Sequence, residues 1–249
     1  MMRAIKLLFL LLLSRVGYSA VAFDAAASTQ GIATSYTWAH TCTGSNLVLV
    51  VGIATKSGTL DTVTGVTYNS VSLTRAGVTQ TAQGATYLYY ILSPSTGANN
   101  VVVSTGVDAD NTVVGSASYT GVTAVGAFVA VTAASTSIST NYTTSVDNAW
   151  LASMISNRNS SITWTNDSGG TTRWGPLSQG SGANSMSGIQ ADQVAAVTAG
   201  ANTVSFTASS SGTSSLAVLE LQPSGAAPTP TPVPSTLPIG SLGLMGVGL

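Results

Sequence analysis

The 249-residue chain holds one histidine and one cysteine, His40 and Cys42. Two apart on a strand, they would point to the same face. A Cys-His dyad needs its base oriented by a third group, and no acid lies near this pair in sequence. A zinc site needs two more soft ligands, and the chain has none. The plainer reading is a strand carrying a buried thiol and a satisfied imidazole. As the chain's single cysteine, Cys42 has no partner for an internal bridge.

Carboxylates are the other source of chemistry. The whole supply is Asp24, Asp61, Asp108, Asp110, Asp147, Asp167, Asp192 and Glu220. Glycoside hydrolysis needs two of them flanking the scissile bond, and most sit in turn-like contexts. Serine hydrolysis would have to use His40 as base, and no G-x-S-x-G elbow is present. No nucleotide-binding glycine motif follows a strand. These absences point away from an enzyme. The best metal candidate is Asp108-Ala109-Asp110-Asn111, because Ca²⁺ takes closely spaced hard oxygen ligands. It lacks the spacing of an EF-hand loop, and a polar turn explains it equally. No other cofactor is expected.

Aromatic side chains supply platforms for sugar rings, with polar groups beside them to orient the ligand. Tyr87 and Tyr89 share one strand face, which fits a core position as well as a site. Trp38 and Trp150 lie in apolar strand patterns. Trp174 stands apart, next to Arg173 in a Gly/Thr-rich stretch. Trp174, Arg173, Tyr87 and Tyr89 are therefore the ligand-binding candidates.

The elements that must position these residues are strands. Short runs rich in Val, Thr, Tyr and Ile alternate with Gly, Asn, Ser and Asp at roughly ten-residue spacing. Leu47 to Val51 is a continuous apolar run, as in a central strand covered on both faces. Asn69-Ser70 sits between alternating runs as a hairpin turn.

The chain also matches itself. Ser45-Asn46-x-x-Leu49-x-x-x-Ile53 matches Asp147-Asn148-x-x-Leu151-x-x-x-Ile155. Thr74-Arg75-x-Gly77 matches Thr172-Arg173-x-Gly175, and Gly97-Ala98-Asn99 matches Gly200-Ala201-Asn202. Ala22-Phe23 pairs with Ala127-Phe128, and Val66-Thr67-Tyr68 with Ile162-Thr163-Trp164. The five matches are colinear, at offsets from 96 to 105, and predict an internal duplication. The recurrence of Arg75 and Arg173 suggests a structural ion pair in each half. The expected fold is all-β: a two-sheet antiparallel sandwich over residues 23–223, jelly-roll or concanavalin-like, with pseudo-repeats 22–122 and 127–223. The alternative is two tandem sandwiches of about 100 residues each. The join at Gly121 to Gly126 has no Pro-rich or charged linker, which favours one packed body.

Composition limits partners. Only 6% of residues are charged, while Ser and Thr number 35 each. Against the usual quarter of charged residues, this surface must be polar through hydroxyls and amides. Residues 1–22 read as a secretory signal, with Arg3 and Lys6 before the apolar Leu7 to Leu13 and an Ala20-Val21-Ala22 cleavage site. The remaining chain keeps four cations, Lys56, Arg75, Arg158 and Arg173, against eight acids. Four scattered cations make no nucleic-acid face.

Residues 224–236 form a Pro/Thr-rich linker, followed by the apolar stretch 237–249. V-P-S-T-L-P and the following Gly/Leu segment resemble PEP-CTERM sorting tails of Gram-negative bacteria. Across the body, Ser35-Tyr36-Thr37-Trp38-Ala39-His40-Thr41, G-V-T-Y-N and L-T-R-A-G are similar to a module of about 200 residues in secreted and surface proteins of environmental bacteria. The resemblance implies export to the cell surface or outside, with membrane contact only through the tail. The expected function is non-catalytic binding of polysaccharide or another surface partner. The alternative is self-association into a layer, filament or matrix, which low charge permits.

Overall fold

The computed structural model describes residues 20–56, 61–82, 84–106, 111–159, 161–182, 184–195 and 198–225. Most of the expected signal, nearly all of the linker, the tail, and Asp108 and Asp110 lie outside the described residues.

Every regular element among the described residues is a strand. The first half contains β1 (Ala22–Gly31), β2 (Ser35–Cys42), β3 (Val48–Lys56), β4 (Val63–Tyr68), β5 (Val71–Ser72), β6 (Thr74–Thr81), β7 (Gly84–Leu92), β8 (Gly97–Thr105) and β9 (Thr112–Thr120). The second contains β10 (Val122–Ala134), β11 (Ser137–Thr143), β12 (Trp150–Asn157), β13 (Trp164–Asn166), β14 (Thr171–Ser181), β15 (Asn184–Val194), β16 (Ala201–Ala208) and β17 (Thr213–Pro223).

Sequence patterning explains where each strand sits. In β2, S-Y-T-W-A-H-T-C alternates strictly between exposed and buried, the signature of a strand with one wet face. In β3, V-L-V-V-G-I-A-T-K is buried at every position, so both of its faces are covered.

The strands form four antiparallel sheets. The five-stranded ones have the orders β1-β9-β3-β7-β6 and β10-β17-β12-β15-β14; the smaller ones are β2-β8-β4-β5 and β11-β16-β13. The second half therefore repeats the strand order of the first. Tyr36, Trp38, Leu49, Ile53, Tyr68, Tyr87 and Val101 fill the core between the two sheets of the first half. Ile138, Tyr142, Leu151, Ile155, Phe206 and Val218 do the same in the second. A third core joins the halves: Val48, Val50, Leu88 and Tyr119 meet Met154, Trp174, Met186 and Leu219. The five-stranded sheets thus lie inside, face to face, and the smaller sheets outside.

The all-β sandwich reading stands, but with four sheets rather than the two expected. The reason lies in β3 and β12, which are apolar on both faces. A two-layer body would leave one of those faces wet. Each half closes its own core, as tandem sandwiches would, and the shared core makes the pair one packed body.

Bare positions on the inner sheets allow the close approach. A Cβ on Gly52 would run into the Met154 sulfur, one on Gly77 into the Phe128 ring, and one on Gly115 into the Trp174 indole. Large side chains from one half thus enter glycine gaps in the other. Thr86 and Ser156 hydrogen-bond through their hydroxyls across the same interface, at 2.6 Å.

Candidate functional site

A polar groove lies on the outer sheet of the first half, beside the turn between β4 and β5. Asn69 and Ser70 make that turn with φ of 48° and 63°, the twist a two-residue hairpin needs. The Asn69 N–H donates to the Asn100 carbonyl at 3.1 Å, which seats the turn against β8. Thr67, Asn69, Ser70, Ala98, Asn99, Asn100 and Val102 then enclose about 380 Å³. Its walls carry no charge. Asn69 donates to Ser95 Oγ at 3.2 Å, and Asn99 donates to Tyr68 Oη at 3.4 Å. Ala98 and Val102 add a small apolar floor. Amides and hydroxyls over an apolar floor suit a neutral, hydroxyl-rich ligand.

The ligand candidates expected from sequence are elsewhere, and they are not together on a surface. Trp174 is 5% exposed, and its Nε1 donates to Gln190 Oε1 at 2.6 Å. It fills the space over Gly115, so it is a packing residue between the halves and offers no platform. Tyr87 and Tyr89 are buried in the core of the first half. Burial pushes both phenols above their ordinary value. The Tyr87 hydroxyl accepts from the Thr62 N–H at 3.0 Å. Arg173 holds Asp192 with two hydrogen bonds, at 2.5 and 3.0 Å. Its guanidinium lies 4.1 Å from the Phe23 ring centre, so it ties the second half to the first. Burial raises the Asp192 carboxyl despite this partner.

Of the calcium candidate, only Asn111 lies within the described residues. It is buried, and its amide donates to the Asn184 carbonyl at 2.5 Å. Among the described residues no three His, Cys, Asp or Glu side chains gather in a metal-binding group.

His40 is 2% exposed, between the two sheets of the first half. Ser118 Oγ lies 2.7 Å from Asp24 Oδ2 and 2.9 Å from His40 Nε2. Its single proton goes to the carboxylate, so Nε2–H must donate to Ser118. On the other side Nδ1 lies 2.9 Å from Ser116 Oγ, which takes a hydrogen bond from Trp38 Nε1 at 2.9 Å. The protons thus run one way: Trp38 to Ser116 to His40, and His40 to Ser118 to Asp24. Both ring nitrogens are satisfied, and the imidazole is neutral. Burial drives its pKa down to about 4, only partly offset by the Asp24 charge. The proton order from Ser116 to His40 towards Asp24 is that of a serine–histidine–carboxylate relay with Ser118 interposed, but Ser116 is fully buried between the two sheets, out of reach of a substrate. Cys42 shares this interior, and burial raises its thiol.

Sequence reasoning missed what Asp24 and Glu220 do. Asp24 takes hydrogen bonds from the Thr43 N–H, at 2.9 Å, and from the Thr43 hydroxyl. Glu220 takes the matching pair from the Ser145 N–H and hydroxyl, both at 2.8 Å. Each carboxylate clamps the chain just after β2 or β11. Burial raises the Asp24 carboxyl, but the hydrogen bonds from Ser118 and Thr43 outweigh it and leave the pKa lowered. No sequence match could pair these acids, because they come from different strands.

Comparison of this chain with known protein families, curated proteins and solved structures found no match.

Proposed function

We propose that this is a non-catalytic module, exported to the cell surface or beyond, that binds a neutral polysaccharide in the groove between β8 and the β4–β5 turn. The observation that carries the reading is the lining of that groove: uncharged amides and hydroxyls over Ala98 and Val102. Recognition there is by hydrogen bonds to sugar hydroxyls, since Trp174, Tyr87 and Tyr89 are committed to the cores. The side chains best suited to catalysis are engaged in structure. His40 is wired to two serines, and Asp24, Asp192 and Glu220 hold loops or a cation.

The test is binding of the purified protein to a panel of neutral and acidic polysaccharides by calorimetry, with Ca²⁺ and with chelator. The expected result is saturable binding to a neutral chain that falls at least about tenfold in Asn100→Ala, the scale of one or two lost hydrogen bonds. Absence of binding across the panel, or binding indifferent to Asn100→Ala and Thr67→Ala, would sink the reading. Loss with chelator would assign calcium to the Asp108–Asn111 segment.

A further inference from the structure

Four sheets have eight edge strands, and six of them are blunted. In the inner sheets β1, β6, β10 and β14 all break register with bulges, at Phe23/Ala25, Arg75/Gly77, Val125/Phe128 and Trp174/Leu177 among others. In the outer sheets β5 has two residues and β13 three. Bulges and short strands are the devices by which proteins prevent edge-to-edge pairing.

The other two edges have neither device. β2 pairs with β8 over eight consecutive positions without a break. β11 pairs with β16 over seven. Neither strand contains Lys, Arg, Asp, Glu or Pro. Their backbone polarity follows from the flanking bonds. Thr105 N–H donates to the Thr34 carbonyl, and Ala208 N–H to the Thr136 carbonyl. Antiparallel bonding alternates along the chain. Tyr36, Trp38, His40 and Cys42 therefore turn their backbone groups to β8. Ser35, Thr37, Ala39 and Thr41 turn theirs to the free edge. On β11 the outward set is Ser137, Ser139, Asn141 and Thr143. All eight residues are exposed.

We propose that copies of this chain join edge to edge through β2 and β11 and build an open chain of molecules. A second copy is the occupant that fits. It brings a strand of the same length, regularity and neutrality, so the contact sets no charge against another. A strand paired antiparallel with its own copy makes a closed, twofold contact. The two edges belong to the two outer sheets, on opposite sides of the double inner layer. Each copy therefore carries two such contacts, and growth does not close after the first. The groove borders the same edge strand, since its Ala98, Asn100 and Val102 lie opposite Thr41, Ala39 and Thr37 of β2, so assembly is measured in the absence of polysaccharide.

The test is sedimentation velocity of the purified full chain over a concentration series to the millimolar range. Ala39→Pro blocks β2 by deleting an outward N–H that β8 does not use, and Ser139→Pro does the same on β11. Thr37→Lys and Ser139→Lys provide a second, charge-based block, with circular dichroism confirming the fold. Wild type should grow past dimers as concentration rises. Either single block should stop at no more than dimers, and the double block should stay monomeric. A wild type that stops at the dimer or monomer, or a folded double variant that still assembles, overturns the proposal.

Discussion

His40 sets an acid limit on the stability of the first half. Its imidazole is neutral in the fold, with a pKa of about 4 in place of the ordinary 6.5. Unfolding therefore releases a histidine that takes up a proton near 6.5. The stability gained from keeping it neutral is fully present above 6.5. It is lost as the pH falls from 6.5 towards 4, and changes no further below both values. At 1.36 kcal/mol per pH unit the loss across that window is about 3 kcal/mol, against a total stability of about 5–15 kcal/mol for most domains. The geometry shows the local event. Protonated Nδ1 would face Ser116 Oγ, whose proton would have to turn to the Ala27 carbonyl at 3.4 Å. Asp24 acts in a separate window, because its folded pKa lies below the usual 3.8. Its contribution is lost only further down, as the pH falls through that lowered value. Asp192 has a raised folded pKa, so it works in the opposite sense and adds stability as the pH falls. Comparison with His40→Gln, which keeps a donor and an acceptor but cannot titrate, cancels both carboxylates. The assay is urea unfolding followed by tryptophan fluorescence at pH 7.5 and 4.5. Wild type should lose about 2–3 kcal/mol more than His40→Gln between those values. Parallel losses in the two proteins would refute the neutral, doubly bonded imidazole.

Three further outcomes follow from the packing. Trp174→Ala should cost about 3–5 kcal/mol by urea unfolding, the range for a buried aromatic, and leave polysaccharide affinity unchanged; a loss of affinity at unchanged stability would return Trp174 to the binding site. Arg173→Met should cost about 3–5 kcal/mol by leaving Asp192 buried and unpaired, and adding Asp192→Leu should recover most of it. Glu220→Gln should cost about 1–3 kcal/mol through the Ser145 clamp, and hydrogen exchange should show the added opening at residues 143–146 and not at Thr43.

The strands were readable because alternation and continuous apolar runs are local properties. β2 declares one wet face, and β3 declares two dry ones. The sheet count was less readable, because a strand dry on both faces does not say how many layers cover it. The repeat shows the same limit. Leu49 lies opposite Ser118 and Leu151 opposite Glu220, so the offset of 102 between β3 and β12 carries over to β9 and β17. Elsewhere the sequence match and the register disagree. Phe23 lies opposite Tyr119, and the position opposite Leu221 is Val125, not Phe128. Arg75 lies opposite Tyr89, and its counterpart opposite Ala191 is Thr172, not Arg173. The bulges shift the count by one to three residues, and a biased composition supplies false partners nearby. Both arginines do form ion pairs, but Arg75 reaches Asp61 near the surface, while Arg173 reaches into the interface.

Once the register is corrected, Trp174 has a partner that explains it. Its counterpart is Gly77, the gap that Phe128 fills. The counterpart of Phe128 is Ala26. At one crossing of the inner sheets the large side chain comes from β10 and the small one from β6. At the other crossing the large one, Trp174, comes from β14 and fills the gap at Gly115 on β9. The carboxylate clamps also differ in their source. Ser118 and Glu220 occupy equivalent positions on β9 and β17. In the first half a short serine leaves room for Asp24 to arrive from the bulge in β1. In the second, Glu220 spans the distance alone, and Gly126 in the β10 bulge has no Cβ because the Glu220 carboxylate occupies that space. What the two halves share here is a carboxylate at a fixed point in the fold, and residue-by-residue comparison passes over it. Gly126→Ala should therefore be as damaging as Glu220→Ala, since either expels the carboxylate from Ser145, whereas Ala25→Gly, beside the equivalent bulge, should cost no more than about 1 kcal/mol for added backbone freedom. Urea unfolding of the three variants decides it: a tolerated Gly126→Ala would mean that the clamp can form from another direction and that the two halves are less alike than their strand order implies.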